Sequence, residues 1–161
     1  METVDVQYYL IDQSGKDWPE LLSGWVPPLP EGFTIWLVNR FGDVVAVFDD
    51  GSVHMLDTGT GVITQLAVDR DDFIQKLDAG DNADIWLMIS LVDECVSSGM
   101  VLGPNQCYGY KVPPILGGAY TVENCEPTDL SVHYSLMADI CRQVRDLPDG
   151  TKISSVIIER K

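Results

Sequence analysis

Between Phe33 and Ala67 the chain runs as four short segments rich in β-branched and aromatic residues, each closed by turn residues. No other feature constrains the fold as strongly. The segments are Phe33–Arg40, Val44–Asp49, Ser52–Asp57 and Val62–Ala67. Arg40-Phe41-Gly42-Asp43 reads as the first turn, Asp50-Gly51 as a hairpin and Thr58-Gly59-Thr60-Gly61 as the third turn. Parallel neighbours need crossovers of roughly a dozen residues or more, so connections this tight predict an antiparallel meander.

The flanking segments change to a helical period. Trp18, Leu21, Leu22 and Trp25 fall at i, i+3, i+4 and i+7, one face of a short helix that Pro27, Pro28 and Pro30 stop. Asp69–Ala79 opens with acids in its first turn, favourable at the positive end of a helix dipole. The nearly continuous apolar run within Ala83–Ser97 predicts one helix buried on most sides. Residues 99–128 hold five of the 14 glycines and four of the nine prolines. They predict short strands at Ala119–Glu123 and Tyr108–Val112. A helix from Ser131 to Leu147 buries Tyr134, Met137, Ile140, Cys141 and Val144, with Asp139 on its polar side. Pro148-Asp149-Gly150 then turns into a strand at Ile153–Ile158. The expected fold is α+β, an antiparallel meander with helices packed on one face. It forms a single domain over 1–161, with 1–32 a short lead-in and 33–150 the main body.

Charge narrows the function classes. Residues 1–100 carry 18 acidic and 4 basic side chains, residues 101–161 carry 7 and 6, and the formal net charge is −15. A field of this sign opposes binding to nucleic acid, which rests on Lys and Arg neutralising phosphates, and to an anionic membrane surface. It favours encounter with a basic protein partner. The N-terminus has no basic segment leading into an apolar core, and no apolar run approaches the roughly 20 residues of a membrane span. The expected location is cytoplasmic. Cys95, Cys107, Cys125 and Cys141 lack zinc-ligand spacing and read as reduced, buried thiols. No metal or cofactor is expected.

Catalytic signatures are weak. His54 and His133 are the two imidazoles, and no nucleophile elbow accompanies them. Asp49-Asp50, Asp71-Asp72 and Asp93-Glu94 are adjacent acids, which read first as a solvated face. A small carboxylate-based enzyme would need acids converging into a cleft from different elements. Gly59-Thr60-Gly61 lies between strands without the lysine of a phosphate loop. The turn residues Pro113, Pro114, Gly117 and Gly118 fix a backbone path around Ile115-Leu116, and the Asn124 side chain can satisfy turn amides.

Taken together, Phe41-Gly42-Asp43, Leu56-Asp57 with Gly61-Val62-Ile63, Asp72-Phe73 with Leu77, and above all Tyr108-Gly109-Tyr110-Lys111-Val112-Pro113-Pro114-Ile115-Leu116-Gly117-Gly118 with Glu123-Asn124 carry a resemblance. Over about Phe33 to Gly150 the chain resembles the C-terminal domain family of Tdi-type immunity proteins of type VI secretion DNase toxins. The resemblance implies a non-enzymatic α+β protein that binds and neutralises a cognate toxin, a nuclease, with no catalytic residue to transfer. The expected contact surface is the acidic face of Asp43, Asp49, Asp50, Asp69, Asp71 and Asp72, with Tyr108 and Tyr110 as aromatic anchors, although core packing is the alternative use of the tyrosines. The competing readings are an intracellular regulatory or binding module and the carboxylate-based enzyme.

Overall fold

The computed structural model describes residues 5–145 and Leu147, so the expected turn at 148–150 and strand at 153–158 lie outside the described residues. Strands β1 (Thr34–Val38), β2 (Val44–Val47), β3 (Val53–Asp57) and β4 (Val62–Ala67) pair in that order, every neighbour antiparallel. The predicted meander therefore forms, and its turns close as the residues dictate. Asn39 N donates to Asp43 O across the first, where Gly42 takes φ +82°, and Phe48 N donates to Ser52 O across the second. A Cβ on Gly42 would also meet the His133 ring at 3.2 Å, so that corner needs glycine on two counts. The lead-in covers the outer edge of β1, with Ile11 N donating to Val38 O and Gln13 Nε2 to Trp36 O.

Helices pack on both faces of the meander, not on the one expected. In β2 the consecutive residues Val44, Val45 and Ala46 are all buried, the pattern of a strand covered on both sides. Val44 and Ala46 join Val38 and Leu56 in a core with Leu22, Trp25, Tyr134, Met137 and Ile140. Val45, Val53 and Ala67 pack on the other face with Phe73 and Trp86. The first face is covered by α1 (Trp18–Leu21), a 3-10 turn at Ser23–Trp25 and α5 (Leu130–Val144). Asp17 and Asp129 cap α1 and α5 by accepting amide hydrogens of their first turns. Trp25 Nε1 donates to Tyr134 O at 3.1 Å, tying the lead-in to α5. Asp139, expected on the polar side of α5, is buried and pairs with Arg142.

The second face is covered by α2 (Arg70–Leu77), capped by Asp69 accepting from Asp72 N at 2.8 Å, and by α3 (Asn82–Leu87). The single helix expected over Ala83–Ser97 is broken. α4 (Ile89–Ser97) starts after Met88, which is left-handed at φ 55°. Asp84 accepts both Ser90 N and Ser90 Oγ at 2.8 Å, replacing helical partners at the break. Ile85, in α3 ahead of the break, is 61% exposed.

A second sheet pairs β5 (Gln106–Tyr110) with β6 (Cys125–Asp129), antiparallel. The strand expected at Ala119–Glu123 is displaced to β6, because Val122–Asn124 forms a 3-10 turn. Asn124 sets this geometry: its Oδ1 accepts from Val112 N, and its Nδ2 donates to Val112 O and Ala119 O, all at 2.9 Å. Gly118 passes so close that a Cβ there would lie 1.7 Å from Val112 O. All four cysteines are free and buried, and the Cys125 thiol donates to Thr121 O at 3.2 Å.

Candidate functional site

Two regions hold the residues from which chemistry could be built. The first is a buried polar network at the Asn39–Gly42 corner. Asn39 Oδ1 accepts from Phe41 N and Asp43 N, fixing the turn, while its Nδ2 donates to Asp43 Oδ2 at 3.1 Å and Trp86 O at 3.0 Å. Asp43 Oδ1 accepts from Thr58 N at 2.9 Å and Thr58 Oγ1 at 3.0 Å. Thr58 Oγ1 also lies 2.9 Å from His133 Nε2. With the Thr58 proton committed to Asp43, the Nε2–H of a neutral His133 is the donor to Thr58. Tyr134 OH donates to Gly42 O at 2.8 Å and closes the corner from α5.

Burial dominates the electrostatics here. It pushes Asp43 up to about 7, with the Asp57 carboxylate adding to the rise and the Thr58 and Asn39 hydrogen bonds opposing it. Burial drives His133 the other way, down to about 4. The corner thus holds a carboxyl that titrates near neutrality and an imidazole that stays neutral there.

The second region is a cleft of about 510 Å³ beside this corner. Strand alternation directs Met55 and Asp57 of β3, and Thr64 and Leu66 of β4, to the same wall, and Asp84, Trp86 and Leu91 form the helical side. Asp43 and Tyr120 complete it. Asp57 Oδ1 accepts from Gly59 N at 2.8 Å, and both oxygens of Asp84 hold Ser90. Tyr110 OH is buried without a hydrogen-bond partner, and its ring stands edge-on to Tyr120 at 5.8 Å. Among the described residues no group of three or more His, Cys, Asp or Glu is arranged to hold a metal ion.

The surface expected to contact a partner is divided by the fold. Asp49 and Asp50 are exposed in the β2–β3 turn, and Asp69 and Asp71 are exposed just after β4. Because Val53 pairs with Ala67, the register brings these four acids to one end of the meander. Asp72 joins them half-buried, accepting from Val68 N and paired to Lys76 at 2.9 Å. Glu31 and Gly32, ahead of β1, lie at the same end, where a Cβ on Gly32 would touch the Asp49 carboxylate at 3.2 Å.

Asp43, Tyr108 and Tyr110 do not belong to that surface. Asp43 is 3% exposed at the opposite end, and both tyrosines are buried. Their two-residue spacing on β5 puts both rings on Phe41, at centroid distances of 5.4 and 5.6 Å. Core packing, the alternative use of these tyrosines, is the one the structure shows. Sequence reasoning passed over Asn39, Thr58 and Asp57. Their only signal was turn chemistry, and it gives no hint that Thr58 meets His133, 75 residues away.

These features define an α+β protein with an acidic sheet end and an apolar-walled cleft, its buried polar groups spent on locking its own turns. Residues 67–141 match the family described as T6SS immunity protein Tdi1, C-terminal. That segment, from the end of β4 into α5, is similar to this family of type VI secretion immunity proteins and makes up a little under half of the chain. It contains the Tyr108–Gly118 motif and Asn124 but not the Phe41-Gly42-Asp43 turn, so the match is narrower than the resemblance read from the sequence. Among solved structures, the crystal structure of Atu4351 from Agrobacterium tumefaciens is similar at 20% identity and a TM-score of 0.47, over 74% of this chain and 60% of that one. This chain thus spans about 60% of that protein's length. No curated protein matches.

Proposed function

We propose that this chain is a non-enzymatic immunity protein that binds and neutralises a cognate toxin, a DNase, in the cytoplasm. One observation carries the reading beyond this family similarity: Asp49, Asp50, Asp69 and Asp71 are exposed together at one end of the meander, brought there by strand register. A concentrated negative field of this kind accelerates encounter with a basic surface and repels nucleic acid. The partner that fits is a basic nuclease domain, engaged where its own DNA-binding charge lies. Asp49 and Asp71 are the residues to test, since Asp50, Asp69 and Asp72 also hold backbone amides.

The test looks for a basic toxin domain in the neighbouring reading frames, mixes its product with the protein, and follows association and DNA cleavage. Stoichiometric protein should abolish cleavage. Asp49→Lys with Asp71→Lys should slow association about tenfold at low salt and flatten its salt dependence. Undiminished cleavage would refute neutralisation, and unchanged on-rates would refute the surface.

A further inference from the structure

We infer that the apolar groove between α1 and β1 docks a partner of one chemistry, a protein segment that inserts a bulky apolar side chain flanked by Lys or Arg. The inference rests on the immunity reading proposed above and names the part of that surface that anchors the toxin. The groove encloses about 530 Å³, room for a large side chain and within the range of ligand sites. Trp18, Leu22 and Val26 form its lead-in wall, and Phe33 and Ile35 its strand wall. Strand alternation puts Phe33 and Ile35 on one face of β1, and both pack, with Trp18 and Val26, against the core shared with α5. Trp18 is held in place: its Nε1 donates to Gln13 O at 3.0 Å, and its ring stands edge-on to Tyr134 at 6.3 Å. With that indole N–H committed, Ser23 and Glu31 are the polar side chains left on the lining among the described residues. An occupant therefore gains by taking hydrocarbon out of water rather than by hydrogen bonding.

Charge at the mouth selects among apolar occupants. Glu31 lines it, and Gly32 runs so near Asp49 that a Cβ there would meet both carboxylate oxygens at 3.2 Å. Both acids are exposed, and neither forms an ion pair among the described residues. No Lys or Arg lines the groove among those residues either. The groove and the acidic end of the meander are thus one continuous surface, an apolar pocket with an anionic rim. That is the layout of an interface anchor surrounded by polar contacts, and a basic segment with an apolar side chain satisfies both parts. A second copy of this chain, formally −15, would meet the rim with like net charge. None of these residues falls in the 67–141 segment that matches the family, so the groove belongs to this chain's own lead-in and β1.

The first arm of the test needs no toxin. The peptide acetyl-Lys-Lys-Trp-Lys-amide is titrated into the full-length protein while the Trp18 indole and Ile35 methyl resonances are followed. Acetyl-Lys-Lys-Ala-Lys-amide and acetyl-Glu-Glu-Trp-Glu-amide are the controls. Saturable shifts with the first peptide alone are expected. Ser23→Trp, at an exposed lining position, fills the groove and should weaken binding about tenfold or more. Glu31→Lys should weaken it about threefold at low salt, an effect that high salt removes. Circular dichroism confirms that each variant is folded. No saturable binding, equal binding of either control, or indifference to Ser23→Trp overturns the inference. So does prior occupation of the groove by a second copy, seen as concentration-dependent shifts with a doubled mass, or by the chain's own residues 148–161, seen as shifts of their resonances in Ser23→Trp. In the second arm the neighbouring toxin replaces the peptide. Ser23→Trp should speed dissociation about tenfold and leave association within about twofold, the reverse of Asp49→Lys with Asp71→Lys. A toxin that leaves wild type and Ser23→Trp at the same rate overturns the groove while the immunity reading stands. Peptide binding with no toxin binding refutes the immunity reading and leaves the groove as a site for another basic segment.

Discussion

Between pH 4 and 6.5 two buried groups at the Asn39–Gly42 corner pull the stability of this protein in opposite directions, and replacing one should expose the other. Asp43 is raised from an ordinary 3.8 to about 7. Its folded form therefore holds a proton that the unfolded chain has released, and stability falls as pH rises between those values. His133 is lowered from 6.5 to about 4. Here the unfolded chain holds the extra proton, so stability is lost as pH falls from 6.5 towards 4. Each slope is about 1.4 kcal/mol per pH unit. Across the shared window they nearly cancel, whereas the penalty for ionising Asp43 alone would reach ~4 kcal/mol by neutral pH.

The perturbation is His133→Leu, assayed by urea denaturation at half-unit steps from pH 4.5 to 6.5. The substitution strands a Thr58 acceptor and changes packing, but that offset is independent of pH. The informative quantity is the difference between the wild-type and variant profiles, in which the titration of the exposed acids cancels. It should rise by about 1.4 kcal/mol per unit. Asp43→Asn should give a difference of the opposite sign, with an added constant penalty because its amide nitrogen faces Asn39 Nδ2. Parallel profiles for wild type and His133→Leu would falsify the assignment of a neutral, desolvated imidazole.

Other perturbations test the local devices of the fold. Gly118→Ala places a methyl against Val112 O and should destabilise by more than about 3 kcal/mol, whereas Gly117→Ala, strained only by its positive φ, should cost about 1–2 kcal/mol. Equal effects in chemical denaturation would count against the close approach. Asn124→Ala removes three side-chain hydrogen bonds, and a loss of about 1–3 kcal/mol is expected. The same midpoint as wild type would show that water replaces them. Burial raises all four thiols, Cys125 to about 12 and Cys141 to about 11. Their reaction with a disulfide reagent at pH 8 should therefore follow global unfolding. A thiol that labels at once in the native protein would contradict this burial.

The meander was legible because its signals are local. Gly42 and Gly51 sit where the backbone turns left-handed, and the β-branched runs between turns have the length of strands. The helix break at Met88 was hidden, since an apolar run from Ile85 to Val92 looks alike whether it is one helix or two. The break is set by Asp84 reaching Ser90. The strand at β6 was missed for a related reason. Ala119–Glu123 has suitable residues for a strand, but Asn124 bonds back to Val112 and Ala119 and holds the preceding chain in a turn.

By itself the sequence determined that the chain pairs as an antiparallel meander, that its negative charge lies before Met100, and that the Tyr108–Gly118 motif fixes a tight path. Tertiary structure decided what each acid does. Asp49 and Asp43 are six residues apart, yet one is exposed at the acidic end and the other is sealed beneath Thr58. Turn and strand propensities depend on neighbours along the chain, so they can be read from it. Burial and protonation depend on which distant elements close over a residue, and for Asp43 those are the β3–β4 turn and, through Thr58, α5.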